Sequence, residues 1–394
     1  MQKFELAQGE DIIHNNKWKI KLVLIRIKKE LSKENQKLIH RYHEEMIIHS
    51  LAISTQVKQL ETILSLSKIL KKDWKDAKKG DIRRVALQIS LRFCDEEGKE
   101  TFYSYDHKKM LKIFFRWLKF GSRNYKEVGD PPETKRIRLR IVFNKIARKD
   151  LITEKDRRKL LDACVGNLRD RAFIDCHLEA GTRPGEILSL HIHHVKFDQF
   201  GAIIQVSGKT GTRIVRLIKS TPSLASWLNV HPFKEDYNAP LWINMGKQRF
   251  GDSLSYAAAS SMVKRRARNA KIKKKINLNL FRHSAATDAA NYLTDAQMRE
   301  RHGWSSYSKV PGRYVHLTHK DVDNAMLQFY GLTKRNKKKN LPIKCHICET
   351  QNHPNMEMCW KCGKALSLKS LLKISKKQIF ETFSKNLSIS YYLS

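Results

Sequence analysis

Apolar positions recur at helical spacing through the first third of the chain. Val57, Leu60, Ile63 and Leu64 share one helix face, and Ser54 and Thr55 just ahead of them are residue types that cap helix N-termini. Ile82, Val85 and Ile89 mark another helix, and Leu111, Phe114, Phe115 and Leu118 form a stripe that stops at Gly121. Glycine suits the left-handed turn that ends a helix. Residues 36–125 therefore read as an all-helical domain. The stretch 1–35 is basic and weakly patterned, either an arm or an extra helix.

The pattern changes after Pro131-Pro132, a pair that cannot sit inside a helix. A linker over 126–152 carries Lys135, Arg136, Arg138 and Arg140, which read equally well as a clamp on a phosphate backbone or as a solvated connector. Thr153 then caps a helix to about residue 161, and a second helix covers 169–180 and ends at Gly181. Strand signals follow at 195–197, 202–206 and 212–217, the last alternating as a half-buried strand does. Between the last two lies Ser207-Gly208-Lys209-Thr210-Gly211, a turn with a glycine on each side of its lysine. Helices resume at Thr221-Pro222 and run to about 330, and Thr294-Asp295-Ala296-Gln297 is a capping box for a short helix closed by Gly303. The predicted fold is mainly α with a small antiparallel sheet: an all-α first domain, a mixed α+β domain over 153–330, a basic linker over 331–343, a small metal ribbon over 344–366 and a helical tail over 367–394.

Charge narrows the class of partner. Lys and Arg number 77 against 39 Asp and Glu, a surplus of +38 that favours polyanions such as nucleic acid. Drift toward an AT-rich genome would also enrich lysine, but it would not place arginines in special local settings. No run approaches the roughly 20 apolar residues of a membrane span, so the expected compartment is the cytoplasm, in association with the nucleoid. Of seven cysteines, Cys345, Cys348, Cys359 and Cys362 form two Cys-x-x-Cys knuckles. Four soft thiolates at this spacing close a tetrahedral Zn²⁺ site with no open position, so the expected zinc is structural.

The remaining chemistry is that of a phosphodiester. Arginine forks neutralise phosphoryl oxygens, a lysine can protonate a departing oxygen, and a tyrosine can attack phosphorus and store the bond as an ester. Such residues occur in order. Arg183 and Glu186 lie in Gly-Thr-Arg-Pro-Gly-Glu-Ile-Leu at 181–188, Lys209 lies at the hairpin tip, and Asn279, Arg282 and His283 lie in Asn-Leu-Phe-Arg-His-Ser-Ala-Ala-Thr at 279–287. Gly303-Trp304 comes next, then Tyr314 in Tyr-Val-His-Leu at 314–317. Each alone is an ordinary surface or core residue; the order of all of them is informative.

These boxes resemble those of the tyrosine recombinases of the phage integrase family, and most of all archaeal Xer-like integrases. The resemblance covers about 40–330 and implies a helical core-binding domain and a catalytic domain gripping opposite faces of double-stranded DNA. It implies site-specific strand cleavage and rejoining through a 3′-phosphotyrosine, with no metal or ATP in the chemistry, by a homotetramer on synapsed sites. Carried over by motif, Arg183 and Arg282 bind the scissile phosphate, Lys209 is the general acid, Trp304 contacts the phosphate, Tyr314 is the nucleophile and Glu186 supports Arg183. Asn279 departs from the pattern, because the family has His or Lys there and asparagine cannot shuttle a proton. If the family's histidine helps to deprotonate the tyrosine, cleavage here is slower, or His283 or His316 takes that part. A DNA-binding regulator with a decayed site is the alternative. A ribbon protein whose charge merely solubilises it is a third.

Overall fold

In the first third of the chain, helix-period apolar residues bury one face each, and those helices close on a single aromatic core. In the computed structural model, residues 15–367 are described apart from 141, 143–147, 209, 315–322, 324–325, 328–329, 333–342 and 353–355. The chain divides into two units, residues 15–146 and residues from 147 onward. The first contains α1 (Asn16–Glu30), α2 (Lys33–Ile48), α3 (Ile53–Leu70), α4 (Lys79–Phe93), α5 (Phe102–Phe120) and the single turn α6 (Tyr125–Val128). Tyr42, Trp74 and Phe114 meet edge to face, with Phe114 about equidistant from both rings at 5.1 and 5.0 Å. The buried indole N–H of Trp74 donates to Ser67 Oγ at 2.8 Å, as a buried polar group must.

Three expectations are corrected here. The boundary at 36 falls inside the unit, because Val23 and Ile27 of α1 are buried in the same core as Leu38 and Leu60. The connector does not begin at 126: Asp130 takes Arg116 at 2.6 Å and Lys112 at 2.8 Å, Lys112 also donates to the carbonyl of Ile137, and Ile137 packs on the core. Ser54 and Thr55 are not caps, since α3 starts at Ile53 with Ala52 in the cap position.

The second unit begins with α7 (Glu154–Asp162), capped by Thr153 as expected. Then come α8 (Leu168–Ala180), the short α9 (Pro184–Leu188) and an antiparallel sheet, β1 (Val195–Asp198), β2 (Gly201–Gly208) and β3 (Gly211–Leu217), in the order β1-β2-β3. The β2–β3 register runs from Ala202 opposite Leu217 to Gly208 opposite Gly211. Further on are α10 (Thr221–Asn229), α11 (Tyr256–Asn269), α12 (Leu278–Ala289) and α13 (Asp295–His302). The expected run of helices from 221 is broken over 230–255, which holds one 3-10 turn and isolated bridges. Pro232, Pro240, Gly246 and Gly251 account for the break. Its residue Trp242 is fully buried against Phe173 of α8, ring centres 5.3 Å apart. Around the cysteine knuckles β4 (Ile343–Lys344) pairs with β5 (Gln351–Asn352). Apart from Ser367, the expected C-terminal helical tail lies outside the described residues.

Candidate active site and metal centre

The site is built around the C-terminal end of α13. A helix leaves its last carbonyls without intrahelical donors, and that end carries the negative pole of the backbone dipoles. Gly303 ends α13 in the left-handed conformation, φ 59°. Three successive carbonyls there each accept from a different arginine. Arg213 Nε donates to Arg301 O at 2.9 Å, Arg282 Nη2 to His302 O at 2.6 Å and Arg183 Nη2 to Gly303 O at 2.9 Å.

Each arginine arrives from a rigid element. Gly181 closes α8 in the left-handed region and Pro184 opens α9, so Arg183 projects from a fixed corner. A side chain at Gly181 is excluded twice, by its φ of +61° and by His302 Cε1, which would lie 2.7 Å from a Cβ. Arg282 stands on α12 and also donates to Gly181 O at 3.0 Å. Arg213 shares the inward face of β3 with Val215 and Leu217.

Glu186 ties the cluster together. Its carboxylate accepts from Arg183 Nη1 at 2.7 Å, from the backbone N–H of Arg183 at 2.8 Å and from Arg213 Nη2 at 2.7 Å. Burial alone would raise its pKa, but Arg213 and then Arg183 outweigh that and hold it below the ordinary carboxylate range. A Cβ on Gly208 would lie 2.4 Å from Glu186 Oε1, so the end of β2 must be glycine to pass. Thr210 Oγ1 donates to Gly303 O at 3.0 Å and fastens the hairpin to the same corner. Three guanidinium groups against one carboxylate leave a net positive pocket, suited to an anion. Burial, then the charge of Arg183, brings the Arg282 pKa down to about 10, so it stays charged at neutral pH.

Tyr314 sits beside this pocket. Its ring stacks on Trp304 with centres 5.6 Å apart and planes 8° from parallel, and Arg282 lies over the other ring of the pair, 5.4 Å from the Trp304 centroid. The phenol hydroxyl is 2.7 Å from His283 Nδ1. Burial raises the Tyr314 pKa, and burial followed by the charge of Arg282 lowers that of His283. Asn279 is exposed at the start of α12, and its side chain has no hydrogen-bond partner among the described residues. Asn277, two residues earlier, caps the helix instead. Lys209 and His316 lie outside the described residues.

The structure thus brings Arg183, Glu186, Arg282, His283, Trp304 and Tyr314 together and leaves Asn279 at the periphery. Sequence reasoning missed Arg213 and His302. Part of the signal for Arg213 was available, since an arginine at an inward position of an alternating strand demands a buried acid, but its partner lies far away in sequence. His302 is fully buried with Nδ1 3.2 Å from Gly181 O, and burial pushes its pKa down to about 3, so it is neutral.

The four cysteines form a second centre. Their sulfurs all lie within 4.8 Å of one another, with Cys345 to Cys362 at 3.6 Å and Cys348 to Cys359 at 3.4 Å. A tetrahedral ion with metal–sulfur bonds of about 2.3 Å would hold its sulfurs roughly 3.8 Å apart. The donor set therefore fits a metal ion closely. Asn352 Nδ2 and the backbone N–H of Ile347 point at Cys359 and Cys345 sulfurs, as donors to thiolates do. Trp360 of the second knuckle stacks on Phe197 of β1, ring centres 6.0 Å apart.

Comparison with known proteins bears on the fold. No curated protein sequence matches the chain. Among solved structures, XerH recombinase bound to its difH substrate superposes with a TM-score of 0.53 at 16% identity, covering 82% of this chain and 94% of that one. A lambda integrase tetramer bound to a Holliday junction gives 0.54 at 11%, covering 72% and 82%. The Tn1549 transposon integrase in complex with transposon right-end DNA gives 0.53 at 16%, covering 73% and 98%. These likenesses establish the fold. The model of the phage integrase family matches residues 150–321. That segment contains Arg183, Lys209, Arg282, Trp304 and Tyr314, and it belongs to the phage integrase family, the tyrosine recombinases.

Proposed function

We propose that the chain is a site-specific DNA strand transferase that cleaves and rejoins double-stranded DNA through a 3′-phosphotyrosine on Tyr314. The observation that carries the reading is the tyrosine hydroxyl held beside a pocket of three arginines whose geometry is fixed by one helix end. In this reading a scissile phosphate enters between Arg183 and Arg282, whose forks neutralise the charge spread over its oxygens. Tyr314 attacks phosphorus, Lys209 protonates the departing 5′ oxygen, and Trp304 packs against the phosphate. Glu186 and Arg213 position Arg183. The ester conserves the energy of the broken bond, so rejoining needs neither nucleotide nor added metal.

The three solved structures named above were determined on DNA, one of them as a tetramer on a junction, and the same kind of assembly is proposed for this chain. The four cysteines are assigned a structural Zn²⁺, whose closed thiolate shell stabilises a ribbon with almost no apolar core. The test uses full-length protein and duplexes of the sequence it selects from a randomised pool, nicked at successive positions so that cleavage traps the enzyme. Wild type forms a covalent adduct that persists without added Mg²⁺, and Tyr314→Phe forms none. One observation favours a second reading, a DNA-binding regulator without cleavage: the position that is His or Lys in the family is Asn279, exposed and without a side-chain partner among the described residues. Tight, salt-dependent binding with no adduct on any nicked duplex selects that reading.

A further inference from the structure

We infer that His283 is the base that takes the proton of Tyr314, in place of the residue that Asn279 replaces. The inference rests on the strand-transferase reading. The starting point is geometric: His283 Nδ1 is 2.7 Å from the tyrosine hydroxyl, within the reach required of a general base. His283 also follows Arg282 on α12, so the helix that positions a phosphate-binding arginine positions this imidazole. Asn279 lies four residues earlier, one helical turn away on the same side, and side chains so related stand about 5–6 Å apart at Cβ. An imidazole at 283 is thus displaced by one turn along α12 from one at 279. The stacking of Tyr314 on Trp304 places the hydroxyl against 283.

The charge state fits the role. Burial and then Arg282 hold His283 neutral at physiological pH, so a ring nitrogen is free to accept a proton. Burial makes the Tyr314 hydroxyl a poorer acid than a free tyrosine, so attack needs a base. Among the described residues, the charged groups acting on the pair are Arg282 on α12 and Arg313 beside Tyr314, both cationic. An entering phosphate adds negative charge to the pocket and offsets Arg282, which makes His283 a stronger base once DNA is bound. In the step itself the tyrosine oxygen–phosphorus bond forms as the phosphorus–O5′ bond breaks. The phenolic proton passes to His283 Nδ1, and the 5′ oxygen receives a proton from Lys209. Rejoining runs the same transfers backward, with His283 returning its proton to the phenol.

A hydrogen bond that merely positions the tyrosine is the competing role, and glutamine separates the two. His283→Gln can hold the hydroxyl but cannot take up a proton. Adduct formation is timed across pH on the nicked duplexes described above, with full-length protein. The expected result is a fall of roughly 10²–10⁴-fold in the rate, unchanged DNA affinity, and loss of the acidic limb that wild type shows. Adding Asn279→His to His283→Gln restores a large part of the rate. A His283→Gln protein that cleaves like wild type with the same pH profile overturns the assignment while leaving the strand-transferase reading intact. No adduct with wild type overturns both. A second measurement needs no variant: nitrogen-15 spectra of histidine-labelled wild type are expected to show Nδ1 of His283 without a proton at neutral pH, and a protonated Nδ1 contradicts the assignment.

Discussion

At the scale of single residues the site depends on buried groups that must hold one charge state. Glu186 is 3% exposed and is the only carboxylate bonded to Arg183 and Arg213 among the described residues. Removing one member of such a cluster strands the others, a loss of about 3–5 kcal/mol. Glu186→Ala is therefore expected to lower the stability of the second unit by several kcal/mol in urea titrations, and to abolish cleavage with it. His302 makes a prediction in pH. Its folded-state pKa is about 3 against an ordinary 6.5, so between these values the unfolded chain binds a proton that the fold excludes. Stability is then full above 6.5 and falls as pH drops through that window, by roughly 1.4 kcal/mol per pH unit at most. The urea midpoint should decline from about pH 7 to pH 5, and His302→Gln, which keeps a donor for Gly181 O, should flatten that decline.

At the scale of elements, α13 organises the chemistry while contributing no reactive side chain. Its carbonyls 301, 302 and 303 hold arginines from β3, α12 and the α8–α9 corner. Gly303 makes this possible, because a Cβ there would lie 2.6 Å from Arg213 Nη1 in a backbone conformation of φ +59°. Gly303→Ala should cost about 1 kcal/mol or more from the backbone alone. It should slow adduct formation further than that stability loss explains, since all three guanidinium groups shift together; paired urea and trapping measurements separate the two effects. Much of this level was legible in the sequence. Thr153 and Thr294 announced their helices because a capping side chain acts within three residues. The boxes around Arg183, Arg282 and Tyr314 were legible for the same reason, being short and ordered. What escaped was non-local. Arg213 meets Glu186 across 27 residues and Arg301 across 88, and no spacing rule connects them. The place of α1 in the helical core is likewise a tertiary outcome, whereas the break over 230–255 follows from prolines and glycines that the sequence displays.

At the scale of the whole molecule the surplus of +38 should dominate affinity. A protein that neutralises 6–10 phosphates loses roughly 10³–10⁵ in affinity between about 50 and 200 mM salt, and a dependence of that size is expected here. The cysteine centre should act independently of the chemistry. Cys359→Ser is expected to abolish metal content, measured by elemental analysis, and to release the Trp360–Phe197 stack while the urea midpoint of the helical unit stays unchanged. The proposed chemistry rests on one covalent bond. Full-length protein and its Tyr314→Phe variant are incubated with the nicked duplexes, and the trapped species is digested and mapped by mass spectrometry. A DNA-linked peptide carrying the phosphodiester on Tyr314, absent from the variant, is the predicted result. DNA bound tightly with no covalent peptide, or an adduct that survives Tyr314→Phe, would contradict it.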